Sequence, residues 1–294
     1  MTATTTGAEV KQHTVTLNGQ KVFYHRAGER QGSPVILLHG SGPGVSAWSN
    51  WQFALPALGQ RRDVVAPDLI GFAQSEHPTD PPTKIADWMD FWVNETLALM
   101  DHLGFEKVDL VGNSMGGAIS LHLMTRAPER FGRVVLMGTV GAPSQNMPYL
   151  NEGWGFYSNP DKDTLGRLIL GFVHNPAVVG GDIEAIKEAR WKAVMQDDLA
   201  RSFKAMFKDG PQATSEGLRL TEEQIRGIEH QILLAHGRED NFVNWKDSVW
   251  FEERLPSAQL HVFAKCGHWI MIEQREAFNR LLEEFFSGKL DSTF

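Results

Sequence analysis

Cysteine is almost absent from this 294-residue chain: Cys266 is the only one. A single thiol cannot close an intramolecular disulfide, so the fold must be held by burial alone, and a reducing compartment suits it. Basic runs are missing too. Lys and Arg number 28 against 36 Asp and Glu, a net charge of −8, which favours solubility and argues against a broad nucleic-acid surface. Apolar runs such as Val35 to Leu38 are far too short to span a bilayer. Met1 to Gln12 lacks the apolar stretch of a secretory signal, so a cytoplasmic protein is expected. No Cys/His spacing suits zinc, and no Gly-Lys-Ser/Thr closes a phosphate-cradling loop. Metal, membrane and nucleic acid are therefore not expected partners.

What remains is ordinary for a globular protein, with 42% hydrophobic and 22% charged residues. The length permits one large domain or a core with an insertion. Asn18-Gly19, between Val15 to Leu17 and Lys21 to His25, predicts a β-hairpin. Strands are predicted at Pro34 to Leu38, Asp63 to Ala66, Lys107 to Val111, Arg133 to Met137, Gln231 to His236 and Gln259 to Ala264. Asp87 to Leu103 has apolar residues at helical spacing and Gly104 just beyond. This alternation implies an α/β chain with a mostly parallel sheet, helices on both faces and the hairpin at an edge. From Gly141 to about Gln212 the rhythm changes. Asp163 to Val173 and Asp182 to Met195 read as helices with no strand between them. The expected division is therefore a core over 1–140, a helical lid over 141–212, and the rest of the core over 213–294.

The segment richest in chemistry is Gly112-Asn113-Ser114-Met115-Gly116, with Gly117 behind it. It follows the apolar run Val108 to Val111 and precedes a helical stretch, Ala118 to Arg126. A serine on a sharp strand-to-helix turn has an exposed hydroxyl, and flanking glycines let the backbone through. Such a serine needs a base, and the base needs an orienting acid. His268, in the loop after the last strand, is the base candidate; His261, inside that strand, reads as structural. Asp240 follows the strand ending near Ala235 and is the acid candidate, with Glu239 as the competing neighbour. Asp247 falls too far along, in the next helix. An oxyanion would need backbone N–H donors. Met115 offers one, and the loop His39-Gly40-Ser41-Gly42-Pro43-Gly44 offers another at Ser41. His39 itself reads as a loop-holding residue.

Together these residues resemble the α/β-hydrolase superfamily and, more closely, the meta-cleavage product hydrolases. These are serine enzymes that hydrolyse a carbon–carbon bond in 2-hydroxy-6-oxohexa-2,4-dienoates. The specific likeness lies in Ser41-Gly42-Pro43-Gly44 with Trp48-Ser49-Asn50, in Gly112 to Gly117, in Cys266-Gly267-His268-Trp269, and in Arg190-Trp191 of the lid. The resemblance implies an α/β-hydrolase fold with Ser114, Asp240 and His268 as triad and the N–H groups of Ser41 and Met115 as oxyanion hole. It implies that Asn50, Asn113 and Arg190 meet the carboxylate and 2-hydroxy/oxo end of substrate, with Gly42 a further substrate-binding residue. Trp269 would pack beside the dienoate, and Phe172, Phe242 and Val243 would line the pocket for the distal substituent. It implies no metal or organic cofactor, a small-molecule substrate and self-association into a dimer or larger homo-oligomer. Ile270-Met271-Ile272-Glu273 departs from relatives that carry a Gln and a second Trp there, which puts the preferred substituent in doubt. Read without the resemblance, Arg190 is a solvated residue of a charged helix with Asp182, Glu184, Lys187 and Glu188. Asn50 and Asn113 would be turn residues, and Trp269 core. A carboxylesterase of the same fold would use the same triad without needing the two asparagines and Arg190 to converge. A non-catalytic small-molecule receptor would bind without turnover.

Overall fold

Short β-branched runs alternating with amphipathic stretches drive this chain into helices layered on a sheet, seen in a computed structural model that describes residues 7–29, 32–143, 147–179 and 183–291. Strands β1 (Val10–Leu17) and β2 (Gln20–Ala27) close a hairpin about Asn18 and Gly19, whose φ values of 51° and 79° are those a tight two-residue turn requires. There follow β3 (Val35–Leu38), α1 (Ala47–Trp51), α2 (Ala54–Leu58), β4 (Val64–Pro67), α3 (Ile85–Leu103), β5 (Val108–Asn113), α4 (Met115–Arg126) and β6 (Phe131–Met137). Among the described residues six α-helices then come before the next strand: α5 (Pro148–Trp154), α6 (Lys162–Gly171), α7 (Ile183–Val194), α8 (Asp197–Phe207), α9 (Gly210–Gly217) and α10 (Glu222–Arg226). The chain ends with β7 (Ile232–Gly237), α11 (Trp245–Glu252), β8 (Ala258–Phe263), α12 (Ile270–Glu273) and α13 (Arg275–Phe286).

The eight strands form one sheet in the order β1-β2-β4-β3-β5-β6-β7-β8. The hairpin sits at one edge, antiparallel to its neighbour β4, and every pairing from β4 to β8 is parallel. Strands β3, β4, β5 and β7 are buried at every position, as parallel strands covered on both faces must be. Helix α3 covers the sheet with Trp88, Trp92, Thr96, Leu99 and Leu103 at three- and four-residue steps, and Gly104 ends it in the left-handed region at φ 68°. It begins at Ile85, two residues before the expected start. Asp161 starts α6 earlier than expected by accepting the Thr164 N–H at 2.7 Å. Asp182, the expected start of the next helix, lies outside the described residues. No helix among the described residues is long and apolar enough to cross a membrane. In an open parallel sheet the carboxyl ends of the strands are where ligands bind. Here the loops after β3, β5, β6, β7 and β8 meet at that end.

Two carboxyl groups are spent on holding the loop after β4. Asp68 accepts the N–H groups of Ala47 at 2.7 Å and Gln74 at 3.1 Å. Glu95, on α3, accepts Ile70 N–H at 3.0 Å. Burial pushes the Glu95 carboxyl up to about 8, with the nearby Asp68 adding to the shift. Because the folded value exceeds the unfolded one of about 4.3, Glu95 stays protonated in the fold while the unfolded chain ionises. Stability tied to Glu95 is therefore complete below about pH 4.3 and falls as pH rises towards 8. Glu95→Gln keeps an acceptor for Ile70 and cannot ionise. Its melting temperature relative to the parent should rise steadily between pH 5 and pH 8; an offset independent of pH would contradict this.

Candidate active site

Ser114 is the one residue between β5 and α4, and its backbone stands at φ 56°, ψ −113°, a conformation few non-glycine residues adopt. It is held there from both sides. Its N–H donates to Met137 O of β6 at 2.8 Å, and its carbonyl accepts Gly117 N–H at 3.0 Å. The flanking glycines are required by contact. A Cβ on Gly116 would lie 2.3 Å from Leu38 O at the end of β3, and one on Gly112 would lie 2.4 Å from Gly116 O. The turn therefore closes only if both positions lack a side chain.

His268 and Asp240 come together as expected. The imidazole Nδ1 lies 2.6 Å from Asp240 Oδ2, and Asp240 Oδ1 accepts the N–H groups of Phe242 at 2.7 Å and Val243 at 3.0 Å. Burial pushes the Asp240 carboxyl up, but His268, His236 and their hydrogen bonds outweigh it and hold the group well below the usual carboxylate range. A carboxylate so held keeps the proton of His268 on Nδ1 and leaves Nε2 able to accept one. The neighbouring Glu239 instead accepts Cys266 N–H at 2.9 Å, so it ties the loop together and leaves the imidazole to Asp240. Asp247 lies in α11, and His261 is an exposed residue of β8.

Gly138, which sequence reasoning missed, lies beneath this pair. Its φ is +52°, and a Cβ there would sit 2.9 Å from His268 Cε1 and 3.5 Å from Asp240 Oδ2. It directly follows Met137, whose carbonyl holds Ser114, so the end of β6 touches both the serine turn and the imidazole.

The loop after β3 runs beside Ser114. His39 is fully buried, and burial pulls its pKa down to about 4. Its Nδ1 faces Gly40 O at 2.7 Å, and its Nε2 accepts Leu69 N–H at 3.0 Å, so both ring nitrogens are committed to holding the loop. Ser41 Oγ accepts Trp154 Nε1–H at 2.8 Å, a tie to α5 that no local pattern announced. Met115 opens α4, so its N–H has no helical acceptor.

Asn50 and Asn113 meet behind this loop. Asn50 Oδ1 accepts both Gly40 N–H at 3.1 Å and Asn113 Nδ2–H at 2.8 Å. That leaves Asn50 Nδ2, a donor, and Asn113 Oδ1, an acceptor, buried without a partner among the described residues. Arg190 leaves the charged face of α7, where Lys187 pairs with Asp163 and Glu184, and Glu188 with Lys162. Its Nη1 donates instead to Gly44 O at 3.0 Å, and it has no ion-pair partner among the described residues. Burial pulls its pKa down, the mark of a desolvated guanidinium.

Beside His268 stands an aromatic stack. Phe172, just past α6, lies between Phe242 (3.9 Å between ring centres, 3° between planes) and Trp269 (4.3 Å, 5°). Phe172 O also accepts Trp269 N–H at 3.0 Å. Val243 is buried beside them, and a Cβ on Gly42 would lie 3.7 Å from Phe172 Cζ. The Glu273 carboxylate clamps this region, accepting the N–H groups of His174 at 2.9 Å, Asn175 at 2.6 Å and Gly267 at 2.7 Å. A serine, an imidazole–carboxylate pair, loop N–H groups and a desolvated cation can together support acyl transfer on an anionic substrate.

Gly138→Ala should leave the fold intact and push the imidazole off its position. A displacement of this kind costs about a hundredfold in kcat. Steady-state kinetics beside a thermal melt would check this, and unchanged kcat would show the ring to be placed by other contacts.

A family model described as alpha/beta hydrolase fold matches residues 33–274. The chain is 39% identical to the 2-hydroxymuconate semialdehyde hydrolase of Pseudomonas sp. (strain CF600) over 256 residues, 87% of each chain. Among solved structures, the 2-hydroxy-6-oxo-6-phenylhexa-2,4-dienoate hydrolase of Rhodococcus sp. strain RHA1 superposes with a TM-score of 0.90 at 38% identity, over 95% of this chain and 99% of that one. A meta-cleavage product hydrolase from Pseudomonas fluorescens IP01 gives 0.87 at 36% identity, over 94% and 98%. With the fold, the strand-end loops and these likenesses in agreement, the chain belongs to the α/β-hydrolase family and, within it, to the meta-cleavage product hydrolases.

Proposed function

We propose that this protein hydrolyses the C5–C6 bond of 2-hydroxy-6-oxohexa-2,4-dienoates, giving 2-hydroxypenta-2,4-dienoate and a carboxylic acid, in the degradation of aromatic compounds. The observation that carries the reading is the pair of unmatched polar atoms beside the serine turn, Asn50 Nδ2 and Asn113 Oδ1, together with the Arg190 guanidinium, which donates to Gly44 O and has no carboxylate partner among the described residues. Buried polar atoms are rarely left unpaired. A substrate with a carboxylate and an adjacent hydroxyl or oxo group supplies an acceptor for the cation and the amide, and a donor for the amide oxygen. A simple ester needs none of these.

Cleaving a carbon–carbon bond requires a carbon leaving group that can bear negative charge. In this reading Asn113, Arg190 and the His268 region first favour ketonisation, moving the 2-hydroxyl proton to C5. Ser114 Oγ then attacks the C6 carbonyl while His268, oriented by Asp240, takes its proton. The N–H groups of Ser41 and Met115 stabilise the tetrahedral oxyanion. As it collapses, the C5–C6 bond breaks and its electron pair delocalises into a dienolate, which is protonated and leaves. Water, deprotonated by His268, releases the acid from Ser114. Trp269 and Gly42 flank the dienoate, while Phe172, Phe242 and Val243 face the distal substituent. Residues 141–212 act as a lid that brings Arg190 to the loop after β3. The same reading has a cytoplasmic homo-oligomer, and the reduced, buried Cys266 suits that compartment.

The test mixes the protein with 6-phenyl and 6-methyl dienoates and follows loss of their visible absorbance. Decay to 2-hydroxypentadienoate with benzoate or acetate is expected, falling by about a thousandfold or more in Ser114→Ala. Arg190→Gln should lose about tenfold to a hundredfold in kcat/KM on the dienoates, as removal of a charge-assisted contact does, and leave hydrolysis of a neutral aryl ester unaffected. Turnover of aryl esters with no decay of either dienoate would make the protein a carboxylesterase. Binding without turnover of either would make it a receptor.

A further inference from the structure

His236, the penultimate residue of β7, is fully buried and lies against the far side of Asp240. Its Nε2 is 3.2 Å from Asp240 Oδ2 and 3.0 Å from Val243 O, and its Nδ1 is 2.7 Å from Ser248 Oγ on α11. These partners determine the tautomer. A carbonyl oxygen and a carboxylate can only accept, so the proton must sit on Nε2. Nδ1 is then an acceptor, and the Ser248 hydroxyl is its donor. Asp240 Oδ2 therefore accepts the His268 Nδ1–H and lies 3.2 Å from His236 Nε2, whose N–H it shares with Val243 O, while Oδ1 receives two backbone N–H groups.

We propose that His236 is a positioning residue for the triad, a donor that locks the Asp240 carboxylate so that Oδ2 stays aimed at His268, with Ser248 fixing the tautomer that makes this possible. The argument rests on the reading of Ser114, His268 and Asp240 given above. Without the His236 donor, only the backbone contacts of Oδ1 and the bond to His268 would resist rotation of the whole carboxylate about the Cβ–Cγ bond, and Oδ2 would lose its restraint on the β7 side. Gly237 brings β7 to the right place: a Cβ there would stand 2.0 Å from Gly267 O and 2.4 Å from Cys266 O, so the strand end carrying His236 lies directly against the His268 loop.

Glutamine places its amide nitrogen where Nε2 of histidine sits, whereas leucine fills the space without a donor. The experiment compares His236→Leu, His236→Gln and Ser248→Ala with the parent and with Asp240→Asn. For the leucine variant, kcat should fall by about tenfold to a hundredfold, the loss expected for one hydrogen bond to a charged group, with KM little changed. Glutamine should recover most of that loss. The far-downfield proton resonance of His268 Nδ1–H should move or broaden in the leucine variant and stay in place in the glutamine variant. A folded leucine variant with parental kcat would overturn the proposal, as would equal losses in the leucine and glutamine variants. If the leucine variant does not fold, Ser248→Ala decides: a severalfold fall in kcat supports the chain of donors, and parental kcat overturns it. Full activity in Asp240→Asn would instead show that the triad reading had failed.

Discussion

Everything at this site depends on one close backbone approach, that of the turn at Ser114 against the end of β3. Leu38 O and Gly116 come within a distance that no side chain could share, and Gly112 is equally constrained by Gly116 O. This contact fixes the serine in its unusual backbone conformation and sets the loop after β3 beside it. The strain at Ser114 is offset by a core that runs through the central strands without a break. Because the constraint is steric, it leaves the serine hydroxyl free of any structural duty.

A second organising principle is polar satisfaction. Most charged or polar groups near the serine are committed to holding loops. His39 holds the loop after β3, Glu239 and Glu273 hold the loop of His268, and Asp68 and Glu95 hold the loop after β4. Against that background Asn50 Nδ2 and Asn113 Oδ1 have no partner among the described residues, and Arg190 has a backbone carbonyl, Gly44 O, in place of a carboxylate. Glu273 also joins the helical segment to the histidine loop, since one carboxylate binds backbone N–H groups of both. The aromatic stack of Phe242, Phe172 and Trp269 seals the same junction.

Local signals carried the reading of the sequence as far as local physics reaches. The hairpin at Asn18-Gly19, the strands and the glycine-flanked serine follow from rules spanning a handful of residues, and the structure has them at those places. The order of Ser114, Asp240 and His268 was legible because strand ends impose it. Long-range partners were not. Trp154 reaches Ser41 across 113 residues, and nothing in either neighbourhood marks the pairing. Gly138 looked like an ordinary strand end, and its role appears only once an imidazole lies over it. His236 was visible merely as the last residue of the predicted strand Gln231 to His236. Arg190 shows the limit most clearly: its charged surroundings argue for solvent, and only a family likeness argued for the interior. Helix periodicity cannot say which member of a charged face turns inward when the deciding contact, Gly44 O, is 146 residues away.

The central claim is that the serine held by this turn becomes covalently acylated during carbon–carbon cleavage. Rapid quenching of a single turnover, followed by mass spectrometry of the peptide containing Ser114, tests it directly. The account predicts a transient mass increase on Ser114 equal to the acyl fragment from C6 of the dienoate, appearing after ketonisation and decaying as the acid is released. Ketonisation and cleavage at full rate with Ser114 unmodified throughout would contradict it and assign the attack to water activated by His268.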